Sequence, residues 1–121
     1  MRVGRAIAWG LIFAVSLAAT AQAGDSKGFS GEAAYYSDDY KGLTASGTRY
    51  DPSKFTCAHR TLPFGTRLRV TDARTHRTVV VTVTDRGPFN KNRVLDLSLA
   101  AAKALRMAER GLIKVTAVVE H

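Results

Sequence analysis

The sequence predicts a small, mainly β protein that closes into a barrel, with one helix covering an opening. Three observations carry this. Short runs of alternating polar and apolar residues recur along the chain, a hairpin signal sits near its middle, and the single Ala-rich helical stretch comes late. Alternation by itself leaves a β-sandwich open. A doubly wound parallel sheet is excluded, because each parallel crossover needs a helix and the chain has only one good one.

The first 23 residues read as a secretory signal peptide. Arg2 and Arg5 give a positive start, an apolar run follows over residues 6–19, and Ala21-Gln22-Ala23 forms a small-x-small cleavage signature. The run is shorter than the roughly 20 residues a membrane-spanning helix needs. We therefore expect an exported protein without a stable membrane anchor. No cysteine follows the cleavage site, so lipidation there is not expected. Residues 24–30 read as a flexible polar leader and residues 31–121 as one domain, expected as a monomer.

Within the domain, residues 32–36 read as a first strand ending on Tyr35 and Tyr36. Residues 37–47 are rich in Asp, Gly, Ser and Thr and read as a long ordered loop, of the kind that often carries function. Tyr50-Asp51-Pro52-Ser53 is a turn. Residues 55–59 fit a short strand or a helical turn. Residues 66–71 alternate cleanly, with Leu68 and Val70 inward. Residues 72–76 turn the chain, and residues 77–84 return as the central strand. Residues 94–97 form another short strand. Ser98 is an N-cap for a helix of about three turns over residues 99–107, closed by Gly111. Residues 113–119 close the fold as a strand with Ile113, Val115, Ala117 and Val119 on one face.

The formal net charge is +8, two of the positive charges being Arg2 and Arg5 of the expected signal peptide. The remaining basic residues are scattered. Such an exported domain is drawn to anionic partners such as cell-wall glycan. Nucleic acid fits neither the compartment nor any binding motif in the chain. Cys57 stands alone, flanked by Phe55, Thr56 and Ala58, and reads as a buried small hydrophobe. A Cys57–His59 nucleophile pair is a minor alternative. His76 falls in a turn and reads as solvated. Three histidines and one cysteine lack ligand spacing, so no metal or other cofactor is indicated.

Chemistry concentrates where the central strand stops. Val83-Thr84-Asp85-Arg86-Gly87-Pro88-Phe89 hands a rigid β-branched run to a loop with an acidic residue at the junction. Asp85 fits either a turn cap or a working carboxylate.

Five blocks occur in order: Ala33-Ala34-Tyr35-Tyr36, Thr44-Ala45-Ser46-Gly47, Ala58-His59-Arg60-Thr61-Leu62-Pro63-Phe64-Gly65-Thr66, Asp85-Arg86-Gly87-Pro88-Phe89 and Asp96-Leu97-Ser98. Together they resemble the rare-lipoprotein-A family of septal peptidoglycan lytic transglycosylases, over nearly all of residues 31–119. The resemblance implies a six-stranded double-psi β-barrel, akin to expansins. It also implies periplasmic cleavage of MurNAc–GlcNAc bonds in peptide-stripped glycan strands, leaving 1,6-anhydro ends. One position departs: the family's pattern reads Glu after Thr-Ala-Ser/Asn-Gly, and this chain has Thr48 there.

Lytic transglycosylation asks less of the protein than hydrolysis. The C6 hydroxyl of the sugar attacks its own anomeric carbon, so one acid can donate a proton and then recover one. Asp85 is the candidate for that acid, its proton held by burial, with His59 orienting it or acting as an imidazolium. Asp51 is the nearest second carboxylate. Thr48, Tyr36, Tyr50, Arg86 and Phe89 are candidate groove residues. Asp96 reads first as a structural group favouring the helix start and second as part of the site. A non-catalytic, expansin-like glycan-binding or loosening module is the alternative, and a true hydrolase with two catalytic carboxylates comes third.

Overall fold

The computed structural model describes residues 28–121; residues 1–23, read above as a signal peptide, and the first residues of the expected leader lie outside them. Six strands form a closed barrel. In chain order these are β1 (Gly28–Tyr35), β2 (Thr56–Ala58), β3 (Arg67–Asp72), β4 (Thr78–Asp85), β5 (Arg93–Leu97) and β6 (Ile113–Glu120), with helix α1 (Leu99–Ala104) between the last two. Around the barrel the order is β1-β5-β2-β4-β3-β6, and β6 pairs again with β1. The β1–β5 and β2–β4 pairs are parallel and the other four antiparallel. Among the described residues no barrel strand is left with an open edge.

The period-2 pattern of the strands explains the core. Leu68 and Val70 of β3, Val79, Val81 and Val83 of β4, Leu95 and Leu97 of β5, and Ile113, Val115 and Ala117 of β6 all point inward and are buried. Cys57 joins them, and α1 closes the cluster with Ala101 and Ala102, followed by Leu105 and Met107. Phe29 packs against this core from the start of β1. Gly28 pairs with Val118, Phe29 with Ala117 and Ser30 with Thr116, so residues 28–30, expected as part of a flexible leader, belong to the barrel.

The helix is shorter than its alanines suggest. Ser98 caps it as expected, its hydroxyl accepting from the Ala101 N–H at 3.3 Å. It ends at Leu105 because Arg106 takes a left-handed backbone (φ 55°). Gly111 (φ 75°) ends the turn that follows instead. The hydroxyl of Tyr50 accepts the Leu99 N–H at 3.0 Å, and the Ala100 N–H reaches the carbonyl of Pro52 at 2.9 Å. Two more helix-start donors are thereby tied to the 50–56 segment.

Asp72, at the end of β3, is 1% exposed. Its carboxylate meets the Arg110 guanidinium and accepts the N–H groups of Arg74 and Thr75, fixing the hairpin turn against the segment before β6. Burial by itself would raise its pKa, but these donors outweigh it and hold Asp72 at about 2. A carboxylate with a depressed folded pKa stabilises the fold above its unfolded value of 3.8 and loses that contribution as pH falls toward 2. Asp72→Asn should cost about 2 kcal/mol at neutral pH and flatten the acid limb of the stability curve between pH 4 and 2, as read by urea unfolding.

Candidate active site

A local irregularity places Asp85. By simple alternation it shares the parity of Val81 and Val83 and would face the core. However, β2 answers Val83 with Cys57 and Asp85 with the very next residue, Ala58. β4 therefore spends one extra residue, Thr84, at that step, a β-bulge that re-aims the side chain after it. Val83, Cys57 and Leu97 stay on the core face, while Asp85 joins Ala58 and its β5 partner Asp96 on the other.

Three donors then hold the Asp85 carboxylate. The hydroxyl of Tyr36 donates to Oδ2 at 2.5 Å, and the N–H groups of Ala45 and Arg86 donate to Oδ1 at 2.7 and 2.9 Å. Residues 44–48 form the lip of the site. The Ser46 N–H bonds the carbonyl of the bulged Thr84 at 3.1 Å, and the hydroxyls of Thr44, Ser46 and Thr48 lie 2.9–3.2 Å from one another. Thr48, an expected groove residue, is thus a member of this hydroxyl cluster and is exposed. Gly87 (φ 125°), in a conformation few side-chain-bearing residues adopt, turns the chain away directly after Arg86.

Tyr36 stacks on Tyr50, with centroids 4.4 Å apart and planes 13° from parallel, and Tyr40 packs across both. Burial, followed by the hydrogen bond to Asp85 and its charge, raises the Tyr36 pKa well above the usual phenol range. Tyr50 is only 6% exposed, so it supports Tyr36 and α1 from behind rather than walling a groove. Phe89, by contrast, is 84% exposed. The Arg86 guanidinium lies 4.0 Å from the centre of the Phe64 ring and donates to the carbonyls of His59 and Leu62 at 3.2 and 2.8 Å. Its charge is thereby tied to the loop before β3.

His59 departs from expectation. Its backbone N–H donates to the carbonyl of Asp85 at 3.1 Å, but its ring turns elsewhere. Nδ1 accepts the N–H groups of Thr61 and Leu62 at 3.1 and 3.0 Å, and the ring meets Phe29 edge-on at 5.1 Å. That bonding assigns the ring hydrogen to Nε2. Burial, then the charges of Arg60 and Arg86, lowers the His59 pKa, which favours the neutral ring over the imidazolium. The phenol of Tyr36 makes the contact to the Asp85 carboxylate that was expected of His59.

Asp51, the expected second carboxylate, is engaged locally. Its Oδ1 accepts the N–H and hydroxyl of Ser53 at 2.9 and 2.7 Å, and these bonds lower its pKa. It is a turn cap. The burial that sequence reasoning invoked for an acid is found at Asp96, whose pKa is raised chiefly by burial and further by the charge of Asp85. Its Oδ1 is buried with no hydrogen-bond partner among the described residues. The Asp96-Leu97-Ser98 block was a sequence signal for this residue, but its place beside a helix cap made it read as structural.

Cys57 is fully buried, and burial followed by the nearby Asp96 charge pushes its thiol up to about 12. This disposes of the Cys57–His59 pair. Among the described residues no group of three His, Cys, Asp or Glu side chains stands close enough to hold a metal ion.

A closed six-stranded barrel, with a bulge presenting a triply held carboxylate between an ordered loop and exposed aromatics, is a double-psi β-barrel with a candidate catalytic site. The chain belongs to the lytic transglycolase family, whose description its residues 29–117 match. It is 50% identical over 90 residues to the "Probable endolytic peptidoglycan transglycosylase RlpA" of Nostoc sp., an alignment covering 72% of this chain and 24% of that protein. The chain spans between 24% and 40% of the length of eight curated relatives it matches. Among solved structures it superposes on the Streptomyces papain inhibitor with a TM-score of 0.63 and 28% identity, covering 78% of this chain and 96% of that one. The apo Clavibacter michiganensis expansin shares the fold at a TM-score of 0.63 and 24% identity, over 78% of this chain and 51% of that one.

Two expected outcomes follow from this geometry. Asp85→Asn should bring the Tyr36 midpoint down in an absorbance titration at alkaline pH, without restoring an ordinary phenol value, because burial persists. Cys57 should resist a thiol reagent at pH 8 in the folded protein and react fully once it is unfolded in guanidinium.

Proposed function

We propose that this domain is an exported, endolytic peptidoglycan lytic transglycosylase. It would cleave MurNAc–GlcNAc bonds in glycan strands stripped of stem peptides and leave 1,6-anhydro ends. The observation that carries the reading is the Asp85 carboxylate, turned out of the core by the bulge and held by three donors. The family to which the chain belongs supplies the reaction class.

The parts divide by chemistry. Asp85 provides fixed negative charge where positive charge develops on the anomeric carbon. Tyr36 keeps the carboxylate in place. His59, neutral with its hydrogen on Nε2, acts as a donor toward a sugar oxygen rather than as a cation. Phe89 and Phe64, both exposed, offer flat faces for pyranose rings, and the hydroxyls of Thr44, Ser46 and Thr48 offer hydrogen bonds along the lip. Thr48 brings no carboxylate, so the acid chemistry must come from elsewhere in the groove.

Residues 24–121 incubated with peptide-stripped glycan strands should release products ending in 1,6-anhydro sugar, identified by mass spectrometry. Asp85→Asn should lower that release by about a hundredfold or more. Reducing ends instead would make the protein a hydrolase. Binding to sacculi without any release would leave an expansin-like glycan-binding module.

A further inference from the structure

The device that turns Asp85 outward occurs a second time, on β5. β1 answers Arg93 with Glu32 and Leu95 with the very next residue, Ala33, so Val94 is an extra residue on β5. Counting by twos from Leu95 and Leu97 would send Arg93 into the core. The bulge instead puts it on the outer face with Glu32, and Val94 lies over Gly31, where a Cβ would come within 2.6 Å of it. Further along the same pairing, Ala34 meets Asp96, and Asp96 meets Ala58, the β2 partner of Asp85. The face that carries Arg93 therefore runs on into the face that carries the candidate site.

Arg93 lines a cavity of about 420 Å³ together with Ala34, Tyr36, Ser37, Asp38 and Leu112. Tyr36 is the phenol that donates to Asp85, so the cavity lies directly beside the site. Three arginines among the described residues are half-buried, Arg86, Arg93 and Arg110. Arg86 spends its guanidinium on the carbonyls of His59 and Leu62, and Arg110 spends its own on Asp72. Arg93 is different. Its Nε is buried without a partner, and neither ion pair among the described residues includes it. Glu32 opposite it on β1, Asp38 on the same cavity and Asp96, which feels its charge, all stop short of an ion pair with it. A desolvated guanidinium donor without an acceptor is costly, and here it stands on a cavity wall.

We propose that Arg93 selects peptide-stripped glycan, its guanidinium binding the free lactyl carboxylate of a MurNAc unit. This rests on the transglycosylase reading above. Removing a stem peptide turns a neutral lactyl amide into a carboxylate, so a stripped strand carries an anion at a position where an intact strand carries none. A guanidinium is a planar fork of donors that matches a carboxylate with two parallel hydrogen bonds. Arg93 precedes Asp96 by three residues, about 10 Å along the strand. The carboxylate it holds thus belongs to a sugar away from the bond that breaks. Such a contact is made equally before and during the reaction, so it acts on binding and leaves the chemical step alone. Asp38, on the same cavity, opposes the incoming charge and limits the affinity gained.

The test compares stripped strands immobilised on beads in two forms, one with the lactyl carboxylates free and one with them converted to methylamides. Retention is measured on ice, where turnover is slow. Wild-type protein should bind the free form about tenfold more tightly than the amide form. Arg93→Gln should lose that factor on the free form and bind the amide form as the wild type does. In turnover of free strands, Arg93→Gln should raise KM by about tenfold with kcat nearly unchanged. Equal retention of the wild type on the two forms overturns the proposal without any variant. So does an Arg93→Gln protein, folded by near-UV circular dichroism, that weakens equally on both forms or lowers kcat at unchanged KM. A wild type that prefers the free form yet releases no anhydro ends overturns the transglycosylase reading and leaves Arg93 the selector of a binding module. One that binds neither form overturns both.

Discussion

The barrel closes through three residues. Thr56, Cys57 and Ala58 make up the whole of β2, and they join β4 on one side to β5 on the other. Without them the sheet would open between those strands, exposing two rows of backbone donors and acceptors and the core that Cys57, Val83 and Leu97 share. The same three residues set the geometry of the groove. The bulge opposite β2 turns Asp85 outward, the antiparallel pairing with β5 fixes Asp96, and Ala58 between them is small enough not to obstruct either. Closing the fold and assembling the candidate site are a single act of strand pairing.

Much of this was legible in the sequence. Val79, Val81 and Val83, or Leu68 and Val70, announce a half-buried strand by alternation, and Ser98 announces a helix start by its chemistry. What stayed hidden depends on pairing between distant segments. Nothing in the run from Val80 to Asp85 reveals that Thr84 is an extra residue, so counting by twos assigns Asp85 to the core. Asp96 looks like a helix-end charge until its neighbour across β2 is known. Tyr50 reads as a groove aromatic because its burial under Tyr36 and Tyr40 is a tertiary fact. His59 was matched with Asp85 by kind rather than by contact; two backbone donors immediately after it claim the ring.

The basic balance of the chain has a more local meaning than attraction to an anionic polymer. Arg60 donates to the carbonyls of Pro88, Asn90 and Arg93, fastening the loop after Asp85 to the one after β2. Arg86 does the same for the carbonyls of His59 and Leu62. Arg110 neutralises buried Asp72, and Arg69 pairs with Glu120 across β3 and β6. A guanidinium offers several donors in one plane, which suits it to gathering carbonyls that irregular loops leave unpaired. The long loops of this small barrel are ordered in good part by arginine, and the groove inherits that order.

The barrel's first and last strands lie side by side, Gly28 opposite Val118. The chain thus enters and leaves the fold at nearly one point, as a bead does when threaded on a loop of cord. A unit with that property can be spliced into a longer polypeptide without prising its sheet apart, since the flanking sequence needs only a single gap on the surface. The relatives are two and a half to four times the length this chain accounts for. The pairing of β1 with β6 makes this barrel a unit that a longer chain can carry whole.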